Sequence, residues 1–282
     1  GNMFLFGSEL KTVVAHPDFT AEIDRHALAL FMRFAYVPNP YSIYRGIYKL
    51  PPGSYLRISY PFSGNDFSKG QASPVKYWSA EKICVDGQQN LFPGSDAEAL
   101  VEFEMLLKQA VAEQMVADVP LGAFLSGGVD SSTVVALMQK CSCHPVKTFT
   151  IGFHEAAYNE AESAHAVARH LGTEHTELYV TPQEALSVIP SIPSIYDEPF
   201  GDSSQIPTYL ISRMTRDYVT VSLSGDGGDE LFGGYNRYFW TLQLWRNLSI
   251  LPRSLRLVLA RSLRKCPPQT WNRLLVLFFH YF

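Results

Sequence analysis

Cysteine is scarce in this 282-residue chain, and Cys84, Cys141, Cys143 and Cys266 are too few for a disulfide framework. Cys141-Ser142-Cys143 lacks the two-residue spacer of a zinc or redox pair, so ordinary thiols at a helix end are expected there. Long apolar runs are missing as well. None exceeds Leu274 to Phe279, which stops at His280, whereas a membrane-spanning helix needs about 20 such residues. Gly1-Asn2-Met3-Phe4 shows no basic stretch leading into a long apolar one, so no secretory leader is read and a reducing cytoplasm is the expected compartment. Basic excess is absent too: 23 Lys plus Arg against 27 Asp plus Glu leave a net charge of -4, which removes the usual drive toward nucleic acid or anionic membrane.

What is present is an ordinary globular balance, 46% hydrophobic and 18% charged, so the chain folds by burying surface. Its length allows about two domains. From Asp24, the side chains Ala27, Leu28, Phe31, Phe34 and Ala35 recur at helical steps, and Pro38 with Pro40 is expected to end that helix. Residues 61–95 are rich in Gly, Ser, Pro and Asp and read as a linker, with one short strand expected around Ile83 to Val85. From Asp96 an amphipathic helix opens an alternation of apolar strands and helices. Strands are expected at Gly122 to Leu125, Val146 to Phe153, His175 to Val180 and Val219 to Ser224. Helices are expected at Ser131 to Lys140, Glu160 to Leu171, Pro182 to Ile189 and Ile206 to Tyr218. That order predicts an α/β domain with a parallel sheet, whose sites lie at the carboxyl ends of the strands.

Two glycine-rich loops each follow a strand. The first, Ser126-Gly127-Gly128-Val129-Asp130-Ser131-Ser132, precedes a helix. Glycines let main-chain N–H groups approach phosphate oxygens, and the helix N-terminus adds donors and partial positive charge. The Gly-Lys-Ser/Thr ending of a Walker loop and the spacing of a dinucleotide fingerprint are both absent. Asp130 inside such a cradle would repel phosphate unless a divalent cation lay between them, so bound magnesium is expected. The second loop, Ser224-Gly225-Asp226-Gly227-Gly228-Asp229-Glu230, has three acids within five residues and lacks the spacing of a calcium-binding EF-hand. One or two of these carboxylates are expected to share the ion with Asp130, with Ser224 and Gly225 near the nucleotide.

These two loops, the second extended by Leu231-Phe232-Gly233-Gly234-Tyr235, resemble the glutamine-dependent asparagine synthetases. So do Phe6-Gly7-Ser8-Glu9-Leu10-Lys11, Leu50-Pro51-Pro52-Gly53-Ser54-Tyr55 and the tract Tyr196 to Ser204, which looks like the substrate-side loop. The resemblance implies an ATP pyrophosphatase of the adenine-nucleotide α-hydrolase type over 96–282. It also implies an α+β remnant of an N-terminal-nucleophile glutaminase (amidotransferase type 2) domain over 1–60.

By that resemblance, Ser126, Gly127, Gly128, Asp130, Ser131 and Ser132 bind the pyrophosphate of ATP, and Asp130 with Asp229 binds magnesium. The strand Phe149 to Phe153, through Ile151, offers backbone to the adenine, and Phe124 and Leu125 pack nearby. Asp226 and Glu230 are the candidate catalytic acids, although Asp226 stands where many family members carry Glu.

The family's glutaminase uses an N-terminal Cys. Here Gly1 stands first and no Cys precedes Cys84, so this chain is expected not to hydrolyse glutamine. The family's synthetase domain continues past Phe282, where it supplies a catalytic Lys, so this sequence reads as a middle piece of a longer protein.

The implied reaction adenylates a carboxylic acid, aspartate in most of the family, and opens the acyl-adenylate with ammonia from glutamine, releasing AMP and pyrophosphate. Small molecules are therefore the expected partners; a homodimer is compatible with the sequence, which carries no sign of oligomeric state. Amide formation on another acid or a sugar, an RNA-thiolating pyrophosphatase and a non-catalytic nucleotide-binding fragment are the other readings. The RNA reading would predict a basic face and paired cysteines. His165, His170 and His175 recur at five-residue steps, but steps of that size turn a helix by about 140° net, so surface or packing roles are expected. Tyr36, Tyr41, Tyr44 and Tyr48 are likewise expected to pack rather than stack on bases.

Overall fold

The computed structural model describes residues 4–58, 73–153, 159–265, 267 and 269–271. The apolar end Leu274 to Phe282 and Cys266 lie outside them. The chain divides into two compact units, residues 1–224 and 225–282.

The first unit begins with short α1 (Leu10–Val14) and α2 (Arg25–Phe34). Asp24 caps α2, its carboxylate accepting from the His26 and Ala27 N–H groups. α2 stops before the prolines: Ala35 adopts φ 64° and its N–H returns to the Phe31 carbonyl. Ala27, Val37 and Ile43 form a small core against which Tyr41 and Tyr44 pack, as expected, whereas Tyr36 and Tyr48 are exposed. β1 (Ser54–Tyr55) and β2 (Val75–Lys76) pair antiparallel.

The expected strand at Ile83 to Val85 is instead part of α3 (Ala80–Gln89). Three adjacent apolar side chains mimic a strand. The flanking chemistry favours a helix: the Ser79 hydroxyl caps the Lys82 N–H, and Lys82 pairs with Asp86 one turn on at 2.6 Å.

α4 (Asp96–Gln114) opens with a capping box, in which the Ser95 side chain takes the Glu98 N–H and the Glu98 carboxylate takes the Ser95 N–H. The alternation then follows the expected order: β3 (Leu121–Phe124), α5 (Val129–Cys141), β4 (Lys147–Phe153), α6 (Ala161–Leu171), β5 (Glu174–Val180), α7 (Pro182–Val188), α8 (Ile192–Ile195), α9 (Gln205–Thr215) and β6 (Val221–Leu223). The four strands are parallel in the order β5-β4-β3-β6. This is the α/β class that the sequence implied. α5 and α6 carry the chain outward from β3 to β5, and β6 returns on the other side of β3. The winding therefore reverses between β3 and β6, and in open α/β sheets ligands bind at the carboxyl ends of strands at such a switch point.

Side-chain alternation sorts the core onto two faces. Ala123 and Leu125 pack with Val135, Leu137 and Met138 of α5 and Ala164 and Ala168 of α6. Phe124 and Ile151 pack with Phe149 and Ile211, the last from α9.

The second unit holds α10 (Gly228–Phe232), α11 (Asn236–Ser249) and α12 (Arg253–Lys265). Among the described residues no helix is long and apolar enough to cross a membrane.

Candidate functional site

β3 delivers the first loop to the inner region of the sheet. The Leu125 N–H donates to the Phe149 carbonyl at 2.9 Å, and the chain then leaves the sheet through Ser126, Gly127 and Gly128 into α5. Leu125 is 1% exposed, so its side chain belongs to the core and only its main chain reaches the loop. Phe124 is partly buried on the opposite face.

Gly127 has φ 80°, and a Cβ there would lie 2.7 Å from the Ala164 nitrogen and from the Ser163 carbonyl carbon and Cβ. The loop is thus wedged against α6, in a backbone conformation that favours glycine.

Ser131 is buried and clasps the loop. Its hydroxyl lies 2.9 Å from the Ser126 hydroxyl, accepts from the Ser126 N–H at 3.2 Å and donates to the Gly128 carbonyl at 3.3 Å. The Ser126 hydroxyl also accepts from the Gly128 N–H at 3.3 Å. Both hydroxyls therefore set the shape of the loop. The Ser132 hydroxyl oxygen is buried with no hydrogen-bond partner, on a shallow cleft shared with Ala136 of α5 and Ala166 and Val167 of α6.

Gly128 is the N-cap of α5 and supplies no side-chain cap. The first-turn N–H groups of a 13-residue helix thus face outward without a capping side chain, and partly exposed Asp130 stands among them. Such a terminus favours an anion. The carboxylate of Asp130 adds a hard oxygen ligand beside it.

β4 outruns β3. β3 registers with Lys147 to Phe149 only, whereas β5 pairs with β4 to Phe153. The Phe149 carbonyl faces β3, and two-residue alternation points the Ile151 N–H and C=O the same way, past the end of β3. One donor and one acceptor are thus presented on an open strand edge.

Ser224 follows β6, and the second loop begins the second unit. Gly227 at φ 91° caps α10, and Gly233 at φ 70° ends it. A Cβ at Gly234 would overlap Oδ1 of Asp229, so the missing side chain leaves room for that carboxylate. The Tyr235 hydroxyl donates to Glu230 at 2.6 Å. That bond, helped by the positive charge of Arg237, holds the Glu230 carboxyl below its ordinary range and pushes the Tyr235 phenol up to about 12. Glu230 is therefore an ionised, oriented carboxylate at neutral pH and not a proton donor. Arg237 lies 4.0 Å over the Tyr235 ring. Asp226 is exposed. Among the described residues no group of three or more His, Cys, Asp or Glu could by itself hold a metal ion.

The histidines depart from expectation in one respect. Although His165 lies on α6 and His175 on β5, their ring centroids are 6.3 Å apart and both address Glu177: His165 Nδ1 at 2.7 Å and His175 Nε2 at 3.7 Å. Rotation along one helix could not reveal this, because β5 returns alongside α6. His175 is 8% exposed and its Nδ1 lies 2.9 Å from the Thr148 hydroxyl. Burial lowers its pKa, with Glu177 opposing and His165 adding to the effect. A buried neutral histidine binds its proton less readily folded than unfolded, so stability falls as pH drops below the unfolded value near 6.5 and through the lower folded one. Urea unfolding should therefore give a lower stability at pH 5.5 than at pH 7.5, with a smaller difference in His175→Gln. An unaltered pH dependence in that variant would assign the effect elsewhere.

Two family models match the chain: one described as asparagine synthase over residues 102–278, and one described as a glutamine amidotransferase domain over residues 1–78. A putative glutamine-hydrolyzing asparagine synthetase 2 of Methanocaldococcus jannaschii is 39% identical over 239 residues, covering 83% of this chain and 43% of that protein. The glutamine-hydrolyzing asparagine synthetase 1 of Bacillus subtilis is 34% identical over 241 residues, covering 85% of this chain and 35% of that protein. The chain therefore spans less than half the length of these curated relatives. Among solved structures, an NMN synthetase from Francisella tularensis matches 48% of this chain and 57% of its own at a TM-score of 0.36 and 17% identity.

Proposed function

We propose, since the chain belongs to the asparagine synthase family, that the whole protein forms an amide from a carboxylic acid at the expense of ATP. Aspartate is the acceptor, asparagine the product and glutamine the nitrogen source. The observation that carries this reading is the uncapped N-terminus of α5 at the switch point of the sheet, with Gly127 wedged against α6.

In this reading the first-turn N–H groups of α5 and the loop main chain of Gly127 and Gly128 receive the pyrophosphate oxygens. The hydroxyls of Ser126 and Ser131 keep that loop in shape, and Ser132 closes it by donating its N–H to the Gly128 carbonyl, its hydroxyl oxygen being buried on the cleft toward α6. Ile151 presents its N–H and C=O to the adenine edge, beside Phe124 and the main chain of Leu125. Asp130 and Asp229 hold magnesium, with Ser224 and Gly225 near the nucleotide. The ion, when bound, supplies positive charge against the pyrophosphate as it departs, which is electrostatic rather than covalent assistance. Asp226 and Glu230 are the acids that face the reacting groups. Glu230, held as a carboxylate by Tyr235, can accept a proton or orient an amine but does not supply a proton at neutral pH.

Carboxylate oxygen is a poor leaving group, and transfer to the α-phosphorus makes AMP the leaving group when ammonia attacks. The bond between the α-phosphorus and pyrophosphate breaks as the acyl phosphate bond forms. The amide bond then replaces the acyl phosphate bond. The product ratio tests this. The complete protein with aspartate, magnesium, ATP and glutamine should release one AMP and one pyrophosphate per asparagine. ADP with inorganic phosphate in their place would overturn adenylation.

A further inference from the structure

The tract Tyr196 to Ser204 contains two consecutive acids, and both are paired with residues of the N-terminal segment. The Asp197 and Glu198 side chains are each 15% exposed. Asp197 Oδ2 accepts the Lys11 backbone N–H at 3.0 Å, while its Oδ1 pairs with the Lys11 ammonium at 3.1 Å. Glu198 Oε1 accepts the Ile43 N–H at 2.8 Å, and its Oε2 pairs with Lys49. All four carboxylate oxygens are therefore engaged, each by a partner more than 140 residues away in sequence. Lys49 is itself anchored, donating to the Val37 carbonyl at 2.7 Å.

A third tie completes the attachment. The Gly201 N–H donates to the carbonyl of Ala35, the residue that ends α2, at 2.7 Å. A Cβ on Gly201 would stand 3.0 Å from that of Ala35, so the two backbones approach closely.

Beyond these ties the chain turns into α9. Asp202 Oδ1 accepts the Ser204 N–H at 2.9 Å, and the Gln205 side chain donates to the Asp202 carbonyl at 2.8 Å. α9 then buries Ile211 against Phe149 of β4, with Ile151 packed alongside. One segment thus joins the amidotransferase-like N-terminal residues to the strand whose open edge is described above.

Two unpaired acids here would repel a carboxylate substrate, whereas acids each held by a lysine and a main-chain N–H are neutralised and fixed in place. The role that these ties support is mechanical. We propose that Asp197 and Glu198 are positioning residues: with Lys11 and Lys49 they clamp residues 197–201 to the N-terminal segment, and so place Asp202 to Ser204 for the acceptor acid. This rests on the amide-forming reading. It makes binding of the acceptor, and not of ATP, the quantity that depends on the clamp.

The test uses the complete protein with ammonia as nitrogen source, so that glutamine hydrolysis does not enter. Lys11→Met and Lys49→Met are compared with Lys49→Arg, which keeps the charge. The KM for aspartate should rise about tenfold or more in the Met variants, since misplacing a positioning element by an ångström can cost that much. Affinity for a non-hydrolysable ATP analogue should stay within about twofold, and Lys49→Arg should recover most of the loss. Amide-hydrogen exchange across residues 197–204 should quicken in the Met variants. Unchanged KM with unchanged exchange would overturn the clamp. So would an equal fall in ATP affinity and in melting temperature, which would make these contacts structural only. A wild-type protein that makes no amide would overturn the amide-forming reading instead, and the exchange measurement would still decide whether the clamp exists.

Discussion

Gly127→Ala should cost the fold about 2 to 5 kcal/mol, the largest effect expected of any single methyl group in the first glycine-rich loop. Two causes add. At φ 80° an L-residue is disfavoured by about 1 to 2 kcal/mol. The new Cβ also meets α6 backbone at 2.7 Å, and overpacking of this kind costs about 1 to 3 kcal/mol because helix main chain cannot swing aside. Gly128→Ala is the control. Gly128 has φ -70°, and a Cβ there would have the Ser126 hydroxyl oxygen at 3.3 Å as its neighbour, so its cost should stay within about 1 kcal/mol. Urea unfolding of both variants checks the difference. Equal stabilities would show that the loop is free to move off α6, which would remove the rigidity on which its use as an anion cradle depends.

Asp130→Ala and Asp229→Ala should each weaken magnesium-dependent binding of a non-hydrolysable ATP analogue by about 10- to 100-fold, the loss typical of one charge-assisted contact of 1.5 to 3 kcal/mol. Neither change should unfold the protein, because Asp130 and Asp229 are both partly exposed and each lies in the first turn of a helix. Thermal-shift titration with and without magnesium reads this directly. A ligand at 100 times its Kd stabilises a folded protein by about 2.7 kcal/mol, and that stabilisation should shrink in both variants. Affinity unchanged in both would sink the shared-ion reading. Loss in Asp130→Ala alone would keep the first loop as the nucleotide site and assign Asp229 another task.

Much of this was legible in the sequence because the signals are local. Strand and helix periods alternate from Asp96 onward, Gly172 and Pro182 punctuate them, and each glycine-rich loop follows an apolar strand, so the parallel sheet and the positions of both loops could be read directly. Where local signals conflict, the reading went astray. Ile83, Cys84 and Val85 look like a strand, and only the cap at Ser79 with the Lys82–Asp86 pair reveals the helix. Long-range pairings left no local trace at all. Nothing near Asp197 or Glu198 announces Lys11, Ile43 or Lys49 as their partners. Nor does the spacing of His165 and His175 show that both meet Glu177. Serine hydroxyls in a glycine-rich loop suggest donors for phosphate, yet Ser126 and Ser131 bond to one another and to the loop main chain. The type of residue was informative there, and its direction was not.

In the proposed adenine site, the overhang of β4 beyond β3 bears on which nucleobase is accepted. The Watson–Crick edge of adenine carries an acceptor at N1 beside a donor at N6, the complement of a main-chain N–H and C=O. Guanine carries a donor at N1 and an acceptor at O6, which meets that same edge with like groups facing. Discrimination of this kind resides in peptide groups, so position 151 can drift among side chains without altering it. Proline is the exception, since it alone removes the N–H. A base preference written in the main chain is preserved by the fold itself and leaves almost no mark on the sequence.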